Sequence, residues 1–130
     1  LNTAVNNKRF GFNAEAELLQ YFRDHGLISE RLHLAGTEDE GDLIVQLTYS
    51  SPIVVQLKTF AARTTKGEDR PLPVSKVKGW WKDLKAQREA YRAHRGLRVA
   101  PPGLLVVKVK GQSWDDALII RRLGDWVGHD

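Results

Sequence analysis

"DLIVQLTYSSPIVVQLKTF", residues 42 to 60, holds two β-rich runs, "DLIVQLTY" (42–49) and "PIVVQLKTF" (52–60), parted by a serine pair. Short runs of β-branched residues around a polar break read as a hairpin, here with its turn near Ser50 and Ser51. Gln56 and Lys58 stand two apart in the second run, so in a strand both project from one face. Polar groups on an apolar β face are costly unless something polar meets them. Antiparallel pairing about that turn returns Lys58 opposite the start of the first strand, beside Asp42. Asp42 and Gln56 then offer hard oxygens to one divalent ion, with a lysine cation beside it, a donor set suited to Mg²⁺. Such an ion activates water and stabilises charge on a scissile phosphate, and an adjacent lysine can orient or deprotonate that water.

Upstream, Phe12 to about His25 reads as a helix, with Asn13 as its cap and "HG" (25–26) as its stop. At 100° per residue Phe12, Leu18, Leu19 and Phe22 form one apolar stripe, and Glu15 falls near its centre. Two readings stand: Glu15 is brought to the hairpin as a further ligand, or it lies at the helix rim or simply pairs with Arg9. "RLHLAG" (31–36) reads as a short strand and "TEDEG" (37–41) as an acidic loop. Downstream, "AARTTKGEDRPLP" (61–73) is a polar loop, and residues 75–96 form a helix from Ser75 to a stop at Gly96. "LLVVKVK" (104–110) and "DALIIRR" (116–122) make a second hairpin around "GQSW". The order helix, three strands, helix, two strands describes a small α/β fold with a central mixed β-sheet flanked by helices. No linker or repeat divides it, so residues 1–130 are expected to form one domain.

The 130-residue chain has no cysteine, which excludes a disulfide framework, a thiolate zinc site and a cysteine nucleophile. No apolar run approaches the ~20 residues of a membrane helix, and "LNTAVNNKRF" lacks the apolar centre of a signal peptide. The expectation is a soluble, cytoplasmic protein with no membrane partner. The net charge of +4 is unevenly placed: residues 1–57 carry four Lys/Arg against eight Asp/Glu, and residues 58–98 twelve against four. A basic segment after an acidic one suits a polyanion held by one part while carboxylates act in the other; a merely solvated helix is the alternative. No phosphate-binding glycine loop and no H-E-x-x-H zinc helix is present, and the four histidines are scattered.

"RFGFNAEAELLQYFRDHGL" (9–27) resembles the opening of archaeal-type Holliday junction resolvases, where a glycine precedes an E-x-E-L helix. Here these are Gly11, Glu15, Glu17 and Leu18. "LAGTEDEGDLIV" (34–45) is similar to that family's approach to its catalytic aspartate, and "VVQLK" to the metal-binding strand of the wider PD-(D/E)xK nuclease superfamily. The resemblance covers residues 8–60, and more loosely the helix at 75–95 and the strand at 104–110. It implies a restriction-endonuclease-like core and a single nuclease domain. The implied activity is Mg²⁺-dependent cleavage of four-way DNA junctions, with Mn²⁺ as a substitute ion. Glu15, Asp42 and Lys58 match the family's catalytic glutamate, aspartate and lysine. Gln56 takes the place of the second acidic ligand, as in the Mrr-like branch, and Gly41 stands where a proline is common. Two further readings remain open: a nuclease of the same fold acting on duplex or flapped DNA, and a non-catalytic DNA-binding module.

The surface expected to hold DNA is basic. By the resemblance, Arg9 matches the basic residue that precedes the helix and contacts DNA in such enzymes; Arg63, Lys66 and Arg70 lie in the loop after Lys58, and Lys78, Lys82, Lys85, Arg88 and Arg92 share one face of the second long helix. Aligned basic residues suit phosphates spaced along a backbone and read no base sequence, which argues for recognition by structure. Val77, Trp80, Leu84 and Tyr91 share the adjoining stripe and read as core. Trp81 falls among the basic residues, where it would stack on an exposed base, line a subunit interface or cap the core's edge. Two symmetric cuts in a junction call for two active sites, hence a homodimer. Its interface candidates are "LLVVKVK", Trp114 and Trp126, each also readable as core. The expected setting is branched DNA of the nucleoid or of a virus within a host cell.

Overall fold

Two helices cover opposite faces of a five-stranded sheet whose spatial order, β1-β2-β3-β4-β5, is also its chain order. The computed structural model describes residues 3–32, 41–46, 51–61, 66–68 and 71–128, and along 3–12 and at 128 the backbone path alone. Its elements are α1 (Thr3–Asp24), β1 (Ile28–Arg31), β2 (Leu43–Gln46), β3 (Ile53–Phe60), α2 (Val74–His94), β4 (Gly103–Val109), β5 (Leu118–Ile120) and α3 (Leu123–Gly128), with a 3₁₀ turn at Trp114–Asp116. β1, β2 and β3 pair antiparallel, β3 and β4 parallel, and β4 and β5 antiparallel. The parallel pair needs a long crossover, and α2 supplies it. The fold is the expected α/β class, with a mixed sheet flanked by helices.

β3 shows why both faces are covered. Its alternate residues Val55 and Leu57 pack with Leu43, Val45 and Val106 under Ala14 and Leu18 of α1. Val54 and Phe60 pack with Leu105 and Val107 under Leu84 and Tyr91 of α2. A strand apolar on both sides is what a central strand requires. The expected core stripe of α2 is observed, with Val77 and Trp80 packed against the buried Leu84 and Tyr91. Both long helices stop at the glycines named from the sequence: Leu27 N–H bonds Phe22 O, and Leu97 N–H bonds Arg92 O.

Several boundaries differ from expectation. α1 runs from Thr3, so Asn13 is interior and caps nothing. Nothing in residues 3–10 breaks a helix, and Gly11 costs only about 1 kcal/mol against alanine. The first strand is Ile28–Arg31 rather than 31–36, of which 33–36 lie outside the described residues. Its buried slot is filled by Ser29, whose hydroxyl donates to Ile44 O at 2.6 Å, while Ile28 is exposed. The polarity alternation is therefore inverted, which hides the strand. α2 starts at Val74, one residue before the expected Ser75, after Pro73 and with no side-chain cap. The second hairpin forms as expected, with β5 trimmed to three residues. α3 was not anticipated; six residues that include two glycines leave little helical signal.

Candidate active site

Asp42, Gln56, Lys58 and Glu15, far apart in sequence, line one cavity of about 440 Å³ together with Leu57, Thr59 and Trp80. Gln56 and Lys58 share a β3 face with Val54 and Phe60 by alternation. They interrupt an otherwise apolar surface, and α2 leaves that part of the sheet open as the cleft. Asp42 arrives from the bend before β2. Its N–H donates to Val55 O at 3.0 Å, and its Oδ2 accepts from Leu57 N–H at 2.8 Å. The carboxylate thus lies alongside Val55–Leu57. This corrects the expected register, in which Lys58 stood across from Asp42: Leu43 pairs with Val55, and Lys58 lies farther along β3. Of the expected turn, residues 47–50 lie outside the described set.

Gly41 makes that approach possible. Its φ is +106°, and a Cβ there would sit 2.8 Å from Val54 Cγ1 and 3.3 Å from Val55 O. Proline, fixed near φ −65°, cannot adopt this conformation.

Gln56 is 7% exposed, and its Oε1 is buried with no hydrogen-bond partner among the described residues. An amide oxygen left so costs roughly 1–3 kcal/mol, a penalty that a cation or a donor in the cleft would remove. Glu15 sits at the rim of the α1 stripe, about one-third exposed, and pairs with Arg31 Nη2 at 3.6 Å. Of the two readings of Glu15, the rim position holds, and the described partner is Arg31 on β1; the side chain of Arg9 is outside the described set. Glu15 nonetheless reaches the cleft, so the rim and ligand readings meet in one position. The cleft offers two carboxylates and one amide; no cluster of three or more His, Asp or Glu side chains suited to a metal occurs among the described residues. Glu38, Asp39 and Glu40 lie outside them.

The basic surface divides into two kinds of residue. Lys78, Lys82 and Lys85 are exposed along α2, and Lys66 is exposed in the loop after β3. Arg88 turns inward instead: its Nε donates to Pro101 O at 2.6 Å, and burial lowers its guanidinium pKa from the ordinary value. Arg92 is fastened to Glu89 Oε1 by Nε and Nη2, at 2.8 and 2.6 Å, and to Leu97 O by Nη1. Arg63 and Arg70 lie outside the described residues; Arg9 falls within α1.

The tryptophans are placed differently from their sequence pattern. Trp81 is half-buried against the α2-side core, the core-edge reading. Trp80 packs against the same cluster and also lines the cleft. Periodicity assigned Trp80 to the core but could not show that α2, entering from the loop after β3, lays its first turns beside Gln56 and Lys58. Trp114 is half-buried, with Nε1 donating to Glu17 Oε1 at 3.0 Å. Trp126 is 67% exposed, not core. No described helix is long and apolar enough to cross a membrane. No protein-family model matches the chain, and no curated protein matches it in sequence.

Proposed function

We propose that this chain is a divalent-metal-dependent endodeoxyribonuclease that cleaves branched DNA, above all four-way junctions, and works as a homodimer with one cleft per subunit. The observation that carries the reading is the orphaned, buried Oε1 of Gln56 in a cleft with Asp42, Glu15 and Lys58. That donor set fits Mg²⁺ or Mn²⁺, whose shell accepts neutral amide and carboxylate oxygens and leaves places for water and phosphate. Asp42, Gln56 and Glu15 would hold the ion, which when bound supplies charge stabilisation at the scissile phosphate and a more acidic water.

The chain's own groups do the rest. The Leu57 N–H pins Asp42 Oδ2, so the carboxylate presents in a fixed orientation rather than searching rotamers. Lys58 places a cation on the same cleft, where it neutralises phosphate charge and orients the attacking water. Arg31 holds Glu15 at the rim without removing it from the cleft. The exposed lysines of α2 would contact backbone phosphates, giving binding that weakens steeply with salt. Such an enzyme would act on nucleoid or viral DNA in the cytoplasm.

Cleavage of a labelled four-way junction and of a linear duplex, each with Mg²⁺ and with EDTA, tests the proposal. Metal-dependent, paired cuts in the junction are expected. Equal cutting of both substrates would remove the junction preference, and tight binding without any cutting would leave a non-catalytic DNA-binding module.

A further inference from the structure

Among the described residues, Trp80 is the one aromatic side chain on the wall of the cleft. Its rotation is fixed: Val77 and Leu84, three residues before and four after, pack against the sheet, so the indole between them faces the sheet too. Of the rest of the lining, Glu15, Asp42, Gln56 and Lys58 are suited to an ion and a phosphate, and Leu57 and Thr59 complete the wall. An indole serves neither, and facing a charged, watery cleft it leaves apolar surface uncovered. The cavity of about 440 Å³ is also larger than that task needs, within the roughly 300–1,000 Å³ of pockets that enclose organic ligands. What lies next to a phosphate in a nucleic acid is a sugar and a base, and every base offers a π-face to an indole.

We propose that Trp80 forms the stacking wall of a subsite for one unpaired nucleobase next to the phosphate held by the cleft. This rests on the nuclease reading of the cleft. Within a duplex both faces of a base are covered by its neighbours, so an indole meets a base only where one is unstacked, at a branch, a bulge or an end. Trp80 thereby makes the cleft selective for distorted DNA without reading its sequence, whereas the α2 lysines grip any backbone alike. Trp81, one residue on, is packed on the core edge and does not line the cleft.

The test uses a duplex carrying one unpaired thymidine and the same duplex with an abasic residue at the bulge. Binding is followed in EDTA by intrinsic tryptophan fluorescence and by titration. The wild type should bind the thymidine bulge about fivefold to a hundredfold more tightly than the abasic one and show quenched emission only with the former. Trp80→Phe should lose the quench while keeping part of the preference. Trp80→Ala should lose both, and Trp81→Phe should keep both. Equal affinity of the wild type for the two duplexes, or a quench that survives Trp80→Phe, overturns the proposal. Should Trp80→Ala fail to fold, the wild-type comparison and Trp80→Phe still decide. Base preference without metal-dependent cutting would sink the nuclease reading and leave the stacking subsite. Cutting without base preference would do the reverse.

Discussion

The two faces of the sheet are built from the same strands and differ in one respect. On the α1 face, Leu43, Val45, Val55, Leu57 and Val106 meet Ala14 and Leu18, and the two buried polar side chains on that face, Ser29 and Lys108, bond to Ile44 O and Val109 O. On the α2 face the layer of Val54, Phe60, Leu105 and Val107 is interrupted by Gln56 and Lys58, and the cleft opens there. β3 belongs to both, so a single strand anchors the fold with one set of side chains and furnishes the site with the other. The α1 face gives its buried polar groups backbone partners. The α2 face carries a buried acceptor with no partner among the described residues, and natural proteins concentrate such local inconsistencies at functional sites.

The largest expected effect falls on the interrupted face. Asp42→Asn and Lys58→Ala should each lower junction cleavage by at least about a hundredfold, with binding in EDTA nearly unchanged. Wild-type rates in either variant would mean that the cleft is not where the chemistry occurs. Next come the layers that hold the faces together. Leu43→Ala on the α1 side and Leu84→Ala on the α2 side, both fully buried, should each lose about 2–5 kcal/mol in urea denaturation. A much smaller loss for Leu84→Ala would show that the α2 layer is looser than the α1 layer.

Gln56 sharpens the contrast at smaller magnitude. Gln56→Leu removes the orphaned acceptor and should leave stability unchanged or raise it by about 1 kcal/mol while weakening Mg²⁺ binding. Gln56→Glu should keep or raise activity and lower the metal concentration required; a collapse of activity would show that the amide has a role no carboxylate fills. The smallest effect lies far from the cleft. The Arg92 hydrogen bonds hold the Glu89 carboxyl below its ordinary pKa. Its folded-state value is therefore depressed, so its contribution is present above the unfolded pKa and fades as pH falls through the folded one. Glu89→Gln should slightly flatten the acid limb of the stability profile and nothing more, because the pair is exposed.

The hairpin of β2 and β3 was legible because apolar β-formers announce a buried strand, and Gln56 and Lys58 stood out against that background. The same background concealed the register. The register is shifted by two residues, which leaves every side chain on its own face and so is not resisted by alternation, and Gly41 diverts the chain before Asp42. β1 escaped because a serine occupies its buried position and satisfies itself on Ile44 O. Glu15 could be placed on the helix but not given its partner, since Arg31 meets it only through tertiary packing. The basic stripe on α2 was read as uniform, whereas Arg88 and Arg92 bend back onto carbonyls that no periodicity reveals. The role of Trp80 depends on which end of α2 lies over the cleft, and that is fixed by the path of the whole crossover.

Because spatial order and chain order coincide in this sheet, each strand meets its partner as soon as the next segment is available. During synthesis β1, β2 and β3 can pair while α2 is still being made, so Asp42, Gln56 and Lys58 emerge already adjacent. The open α2 face is then an exposed apolar sheet until the crossover helix folds down, and that closing step is also the one that delivers Trp80. Ripening of the site and protection of the nascent sheet from aggregation are the same event, so a variant slow to dock α2 would be short of both.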